Sequence, residues 1–421
     1  MTAVQDAASR REDSTPTVRP DSTVTFLPLS IVPERELTVV GNTDTDVFLA
    51  LPAVGVVIIR ALVAGRTIAD AAADATALAG EPVDALDFVE ALIDTGLVLA
   101  IDGERLDPTS ATPTEPEPGQ RSTWLTRLAS GLFSRAAWTV YAAMTLLCSV
   151  AIAREPSLWP TFHDVLFHPN ISLSLATMMV VSIALAAGHE AAHGLAARAV
   201  GIEARLTVAR RHYVPVFEAD LSGLWSVPRR RRYGPFLAGM AFDMVVLTAC
   251  LMLRLATMNG WLHPPRLLVA FVGAIALRQV IGLLWQTVIF LRTDIYAVVV
   301  TALGCYQLQR ITALTLRKWT RRLRPEERAE LRGAHPADAR AARWFAPVTI
   351  AGLAGVYAYL VMFLIPGVLF TERWVLGTLT TVSPRQPEFW QTLTIGTVIG
   401  MQLILPLGIF LWQRMRRVAF A

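Results

Sequence analysis

One short stretch of the chain, Gly188-His189-Glu190-Ala191-Ala192-His193-Gly194, has residue types and a spacing suited to chemistry. His189 and His193 are four apart, so a helix puts them on one face, one turn apart. Two imidazoles so placed can hold a Zn²⁺ ion. Glu190, beside the first, is placed to take a proton from a water that the metal polarises. The stretch ends an apolar run that begins at Ile171. In lipid, two histidines and a glutamate are costly unless they serve a function. The bland alternative is a pair of helix histidines with an incidental glutamate.

A zinc hydrolase takes three protein ligands and leaves a fourth position open. Asp294 is the candidate third ligand. It follows a later apolar run, Leu267–Leu291, that crosses in the same direction, so it arrives at the same membrane depth as the two histidines. Taken alone, Asp294 is equally an interfacial carboxylate.

The elements that must position these residues are membrane spans. Of the 421 residues, 53% are hydrophobic, which is too apolar for one soluble domain and long enough for several spans plus a soluble module. Six runs have the length and apolarity to cross: Ala136–Ala153, Ile171–Ala197, Pro235–Ala256, Leu267–Leu291, Ala346–Leu369 and Leu393–Trp412. Arginines cluster after the second, fourth and sixth runs, including Arg229 to Arg232, the segment Arg317 to Arg343, and Arg414, Arg416 and Arg417. An alternating count puts all three clusters on one side. That side reads as cytoplasmic, with both termini on it, in a multi-pass protein of the cell membrane. The arginines lie beside apolar runs, so the net charge of +4 does not imply nucleic acid. Cys148, Cys250 and Cys305 form no CxxC and suggest neither a disulfide framework nor a thiolate metal site. No apolar stretch in the first residues suggests a signal peptide.

Ahead of the spans, residues 1–22 read as a disordered tail, 23–106 as a small α+β domain, and 107–122 as a Pro-rich linker. Residues 123–421 form the membrane domain. In the small domain, Leu37–Val40 and Asp46–Leu51 suggest strands. Helices are expected over Ala53–Ala64, from a Thr67 cap to Ala79, and over Val83–Thr95, with a closing strand at Leu97–Ile101. Helices followed by a wing strand suggest a winged-helix shape. DNA is excluded by charge: the third helix carries Asp84, Asp87, Glu90 and Asp94 and no basic residue. Trp124–Phe133 is amphipathic and reads either as a surface helix or as an extension of the first span.

The order strand, strand, three helices, ending in Val83 to Val98, resembles the PqqD-type peptide-recognition family, the recognition element of ribosomally made, modified peptides. That resemblance implies capture of a leader peptide as an added strand on an exposed sheet edge, with side chains set against the third helix. A docking domain without a peptide ligand is the alternative. His189-Glu190-Ala191-Ala192-His193, the following Ala196 to Ile202, Gly234-Pro235, and the Asp294 segment together resemble the site-2 protease family of intramembrane zinc metalloproteases. The resemblance implies Zn²⁺ on His189, His193 and Asp294, with Glu190 as general acid and base in peptide hydrolysis. Three departures stand out, the first being that the family's usual prolines before the aspartate are replaced by Val288, Ile289 and Leu291. The family's glycine after the aspartate is absent in Thr293-Asp294-Ile295-Tyr296, and Gln286 stands where the family has an asparagine. Gln286 is therefore expected to contact the substrate backbone or an oxyanion.

The fold class expected is mainly α: a six-helix membrane metalloprotease with a small winged-helix-like cytoplasmic domain. The expected function is cleavage of a small precursor peptide whose leader the N-terminal domain captures, with a tether that raises local substrate concentration. Two other readings stand beside it. One is a regulatory protease that cuts a membrane-anchored signalling protein. The other is a non-enzymatic scaffold for peptide maturation or export. The Gly201–Tyr233 loop, with its alternating Leu206-Thr207-Val208 and Tyr213 to Phe217, suggests either a strand pair that aligns substrate or a basic loop on anionic lipid. Arg278 and Gln279 are expected to pair with Asp243 in a bond between spans. The sequence leaves the oligomeric state open.

Overall fold

The computed structural model describes residues 18–106, 123–211, 214–397 and 399–400. The expected linker and most of the expected tail lie outside these residues, as does most of the sixth apolar run. The chain divides into two compact units. The first takes in the N-terminal region and a later segment, Ser222–Arg232; the second takes in the rest.

In the first unit the strands are β1 (Val24–Phe26), β2 (Ser30–Glu34), β3 (Leu37–Asn42) and β4 (Val47–Leu51). Helices α1 (Ala53–Val63), α2 (Ile68–Ala79) and α3 (Ala85–Asp94) follow, then β5 (Val98–Ile101) and β6 (Glu104–Arg105). Two antiparallel sheets form, in the orders β2-β3-β4 and β1-β5-β6. Local chemistry explains the helix ends. Thr67 and Asp70 form a reciprocal capping box at the head of α2, and Gly80 closes the helix in the left-handed conformation. The Asp84 carboxylate accepts the Leu86 and Asp87 amides at the head of α3.

Residues 18–22 belong to this unit and not to a tail ending at Ser22. The carbonyls of Ser22 and Pro20 accept the amides of Ile68 and Ala69, at 3.1 and 2.7 Å, two donors that a helix start leaves unpaired. Two strands that alternation alone did not announce, β1 and β2, complete the sheets. Asp102-Gly103, both with positive φ, make the tight turn between β5 and β6. The Asp102 carboxylate accepts the Thr23 amide at 2.7 Å, and that bond holds its pKa below the usual carboxylate range. Ile58, Ile59, Leu62, Val89, Leu92, Leu97 and Ile101 fill the core, each contributing roughly 1.5–3 kcal/mol by burial.

The second unit is helical. Helix α4 (Thr123–Leu132) is amphipathic and is separated from α5 (Arg135–Arg154) by Ser134, whose hydroxyl caps α5 by accepting the Ala137 amide. It is therefore a separate helix and not an extension of the first span. Leu128 and Leu132 lie one turn apart on its exposed apolar face. Next come α6 (Ile171–Ala199), the strand pair β7 (Arg205–Arg211) and β8 (Val214–Asp220), α7 (Arg229–Met258) and α8 (Arg266–Gln286). Among the described residues five helices are long and apolar enough to cross a membrane: α5, α6, α7, α8, and the long helix Pro336–Thr381. Between the last two of these, Asp294–Leu303 (α9) and Leu308–Trp319 (α10) form an apolar pair bent by 87°. A short helix, α11 (Pro325–Arg332), precedes the long helix, which we call α12. Val361, Met362 and Phe363 on α12 are 60–69% exposed, as lipid-facing side chains are. The expected fourth run, Leu267–Leu291, ends as a helix at Gln286, and residues 287–293 break the chain before α9.

Candidate metal centre

Two rows of residues on α6 decide the site. Gly188, Ala192 and Ala196 form a row of small side chains at a spacing of four. His189 and His193 form the row beside it. The small row lets α7 approach closely. A side chain at Gly188 would fall on the Phe242 ring of α7, and one at Gly239 of α7 would fall on the His189 ring. Ala192, Ala196 and Ala238 are buried together, with Phe242 packed against them.

The facing side of α7 presents Pro235, Gly239 and Asp243, again at a spacing of four. Its backbone and side chains orient both imidazoles. His193 Nδ1 lies 2.7 Å from the Pro235 carbonyl, which can only accept, so that nitrogen carries the proton. His189 Nδ1 lies 2.8 Å from Asp243 Oδ2. The other Asp243 oxygen accepts Gln279 Nε2–H at 3.0 Å, and Gln279 Oε1 accepts Arg278 Nη1–H at 2.9 Å. Asp243 and Gln279 are almost wholly buried. The expected pairing of Asp243 thus holds for Gln279. Arg278 bonds to Gln279 instead of to the carboxylate.

The chain break after α8 delivers the third group. Arg292 takes the left-handed conformation, and Thr293 starts α9 with Asp294 as its first residue. Gln286 pins this turn from both ends: its side-chain oxygen accepts the Asp294 amide at 3.0 Å, and its carbonyl accepts the Thr293 hydroxyl at 2.7 Å. Its amide oxygen holds Asp294, which makes it a positioning residue, and the substrate or oxyanion contact expected of it would fall to its Nε2 group.

His189, His193 and Asp294 meet. His189 Nε2 lies 3.0 Å from Asp294 Oδ2, His193 Nε2 lies 3.3 Å from the same oxygen, and the two Nε2 atoms are 3.2 Å apart. With both Nδ1 atoms directed at acceptors, the two Nε2 atoms and Asp294 Oδ2 face one another, a set that either a metal ion or a shared proton would satisfy. Their spacing fits zinc: bonds of about 2.0–2.1 Å in a tetrahedron put ligand atoms roughly 3.3 Å apart. Among the described residues this is the one group of His, Cys, Asp and Glu side chains so arranged.

Glu190 follows His189 directly and is half-buried. Its Oε2 accepts the Ala219 amide of β8 at 2.9 Å. Ala219 stands opposite Leu206 in the ladder, and its amide goes to Glu190. The edge of β8 that β7 does not use therefore runs past Glu190. The strand pair expected in the Gly201–Tyr233 loop forms. Sequence reasoning did not connect Asp243 and the Pro235 carbonyl to the histidines, nor Ala219 to Glu190. The first two carried a signal: a proline, a glycine and a carboxylate spaced by four along one apolar helix mark a face that packs tightly and carries a charge. The Ala219 amide, a backbone group, carried none.

Comparison with protein-family models, with curated proteins and with solved structures finds no match to this chain.

Proposed function

We propose that the protein is an intramembrane zinc metalloendopeptidase of the site-2 protease type, and that it cleaves a ribosomally made precursor peptide whose leader the N-terminal domain captures. The observation that carries the reading is the convergence of His189 Nε2, His193 Nε2 and Asp294 Oδ2 at tetrahedral-edge distances, with both Nδ1 atoms tied to acceptors. These three residues would hold zinc and leave a fourth position open. When bound, the ion supplies Lewis acidity that polarises a scissile carbonyl and makes water more acidic.

The chain's own groups do the rest. Glu190 takes a proton from the attacking water as its oxygen bonds to the carbonyl carbon, and returns that proton to the amine as the carbon–nitrogen bond breaks. Asp243 and the Pro235 carbonyl fix the tautomers of the two histidines. Gln286 holds Asp294. Among the described residues β8 pairs with β7 alone, and its other edge, where Glu190 holds the Ala219 amide, would offer its remaining backbone groups to an extended substrate strand beside Glu190.

The N-terminal domain fits capture of a leader. β4 has β3 as its one partner strand among the described residues, so its outer edge is open to an added strand. The acidic residues along α3, Asp84, Asp87, Glu90 and Asp94, favour a peptide over a nucleic acid. The arginine clusters favour a cytoplasmic location for this domain and for the end of α6 that carries the histidines.

A substrate trap tests the proposal. Full-length Glu190→Gln, purified from its native cells in mild detergent, keeps zinc and substrate while hydrolysis stops. Mass spectrometry of co-purifying material should find a short precursor with an intact leader on the variant and its fragments with the wild type. A trapped transmembrane protein would replace this reading with the regulatory one. The same intact partner on both proteins would point to a scaffold.

A further inference from the structure

Arg254 is the last charge on α7, four residues before that helix ends at Met258. It lies 19 residues beyond Pro235. That is roughly 28 Å of helix, close to the thickness of a bilayer's hydrocarbon core. The metal centre sits at the Pro235 end, so Arg254 falls near the opposite headgroup level. Trp261 and Leu262, in the turn after α7, are exposed, as is Phe162 in the loop before α6. Such aromatic and apolar groups gather where a span leaves the bilayer.

A cavity of about 320 Å³ opens at this level, and its charged lining is Arg254, Arg266 and Asp164. Its size falls at the lower end of small-molecule sites, which start at roughly 300 Å³. Arg254 Nη1 is buried 3.4 Å from Asp164 Oδ1, and among the described residues it has no hydrogen-bond partner. Asp164 Oδ2 accepts the Thr161 amide and hydroxyl at 2.6 and 3.2 Å, which leaves Oδ1 as the oxygen able to take a new donor. Both groups rest on bare backbone of α8: a side chain at Gly273 would meet Asp164 Oδ1 and Arg254 Nη1. Arg266 is the first residue of α8 and is exposed, and the positive end of that helix's dipole lies beside it. An ionisable group inside a span marks a site, and basic pockets between spans take lipid headgroups.

The chemistry of the lining selects the headgroup. Two guanidinium groups suit a phosphate, and a carboxylate oxygen beside them suits an N–H donor carrying positive charge. We propose that this cavity binds the phosphoethanolamine headgroup of a membrane lipid, with its phosphate on Arg254 and Arg266 and its ammonium on Asp164 Oδ1. A choline headgroup has no N–H to donate, and a glycerol headgroup brings no cation to the carboxylate. This inference rests on the membrane spans and is independent of the metal centre.

Native mass spectrometry tests it on the full-length protein, freed of lipid in detergent and titrated with phosphatidylethanolamine, phosphatidylcholine or phosphatidylglycerol. One phosphatidylethanolamine should bind about 10-fold more tightly than either of the others, the equivalent of one charge-assisted hydrogen bond. Arg254→Gln and Arg266→Gln should each weaken that binding about 10-fold. Asp164→Asn should keep binding of phosphatidylcholine and lose the preference for phosphatidylethanolamine. Arg266 is exposed, so its variant keeps the test open if Arg254→Gln does not fold. Equal binding of phosphatidylcholine by the wild type, a preference for phosphatidylglycerol, or wild-type affinity in Arg266→Gln overturns the proposal. Soluble glycerophosphoethanolamine that binds as tightly as the lipid overturns it too, by making the occupant a free phosphate ester.

Discussion

Replacing Asp243 by asparagine tests the claim that the chain prepares His189 for a metal. The substitution keeps size and shape and changes one oxygen into an amide donor. Two orientations are open to it, and each fails. If the amide oxygen faces His189, the new NH₂ meets the Gln279 NH₂, and Gln279 cannot turn over because its oxygen accepts from Arg278. If the NH₂ faces His189, the ring must move its proton from Nδ1 to Nε2, which removes the lone pair directed at Asp294 and His193. The first outcome leaves a buried donor unmatched at about 1–3 kcal/mol. The second removes a ligand until the first is adopted. Loss of such a supporting carboxylate typically weakens metal binding roughly 10–100-fold, equivalent to about 1.4–2.7 kcal/mol. Chelator competition on purified Asp243→Asn reads this directly, and thermal melting of the same sample shows whether the bundle still folds. A folded variant with wild-type zinc affinity would refute the reasoning that Asp243 sets the tautomer of His189.

Other expectations follow from the same geometry. Gly239→Ala places a methyl group on the His189 ring and should abolish zinc binding, whereas Gly194→Ala, within the motif but facing open space, should leave zinc content unchanged. Glu190→Gln should keep zinc at full occupancy and lower the hydrolysis rate by about 10²–10⁴-fold in a single-turnover assay, the range for loss of a general base. Chelation should stop peptide cleavage by the wild type, and added Zn²⁺ should restore it. The depressed pKa of Asp102 makes its bond to the Thr23 amide stabilising above the ordinary carboxylate range, with the contribution lost as pH falls through the lower folded value. Amide exchange at Thr23 should therefore be slow at neutral pH and faster in Asp102→Asn.

The candidate ligands were legible in the sequence because each rests on a simple physical constraint. The spacing of His189 and His193 is a helix period, and the depth of Asp294 follows from counting spans by their arginines. The helices of the N-terminal domain were legible through Thr67, Gly80 and Asp84, which carry end signals that need no tertiary information. Strand β1 was not, since it is three residues long and is set by pairing with β5 far along the chain, and β2 was not, since Pro33 interrupts its strand signal. Gln286 was singled out for its position, and its local bond to Asp294 was not legible. Its bond to the Asp294 amide depends on the chain break at 287–293, and an apolar run through Leu291 conceals that break. The burial of Arg232 was hidden in the same way. In sequence it is one of four equal arginines, and its ion pair with Glu34, 198 positions earlier, distinguishes it.

The proposed function requires zinc held by two imidazoles and one carboxylate. X-ray absorption at the zinc edge of the purified full-length protein measures that directly. The expected result is one zinc per chain, with two histidine nitrogens and oxygen neighbours at about 2.0–2.2 Å, and loss of that signal in Asp294→Ala. Zinc absent from a folded wild type, zinc bound through sulfur, or an unchanged spectrum in Asp294→Ala would contradict it.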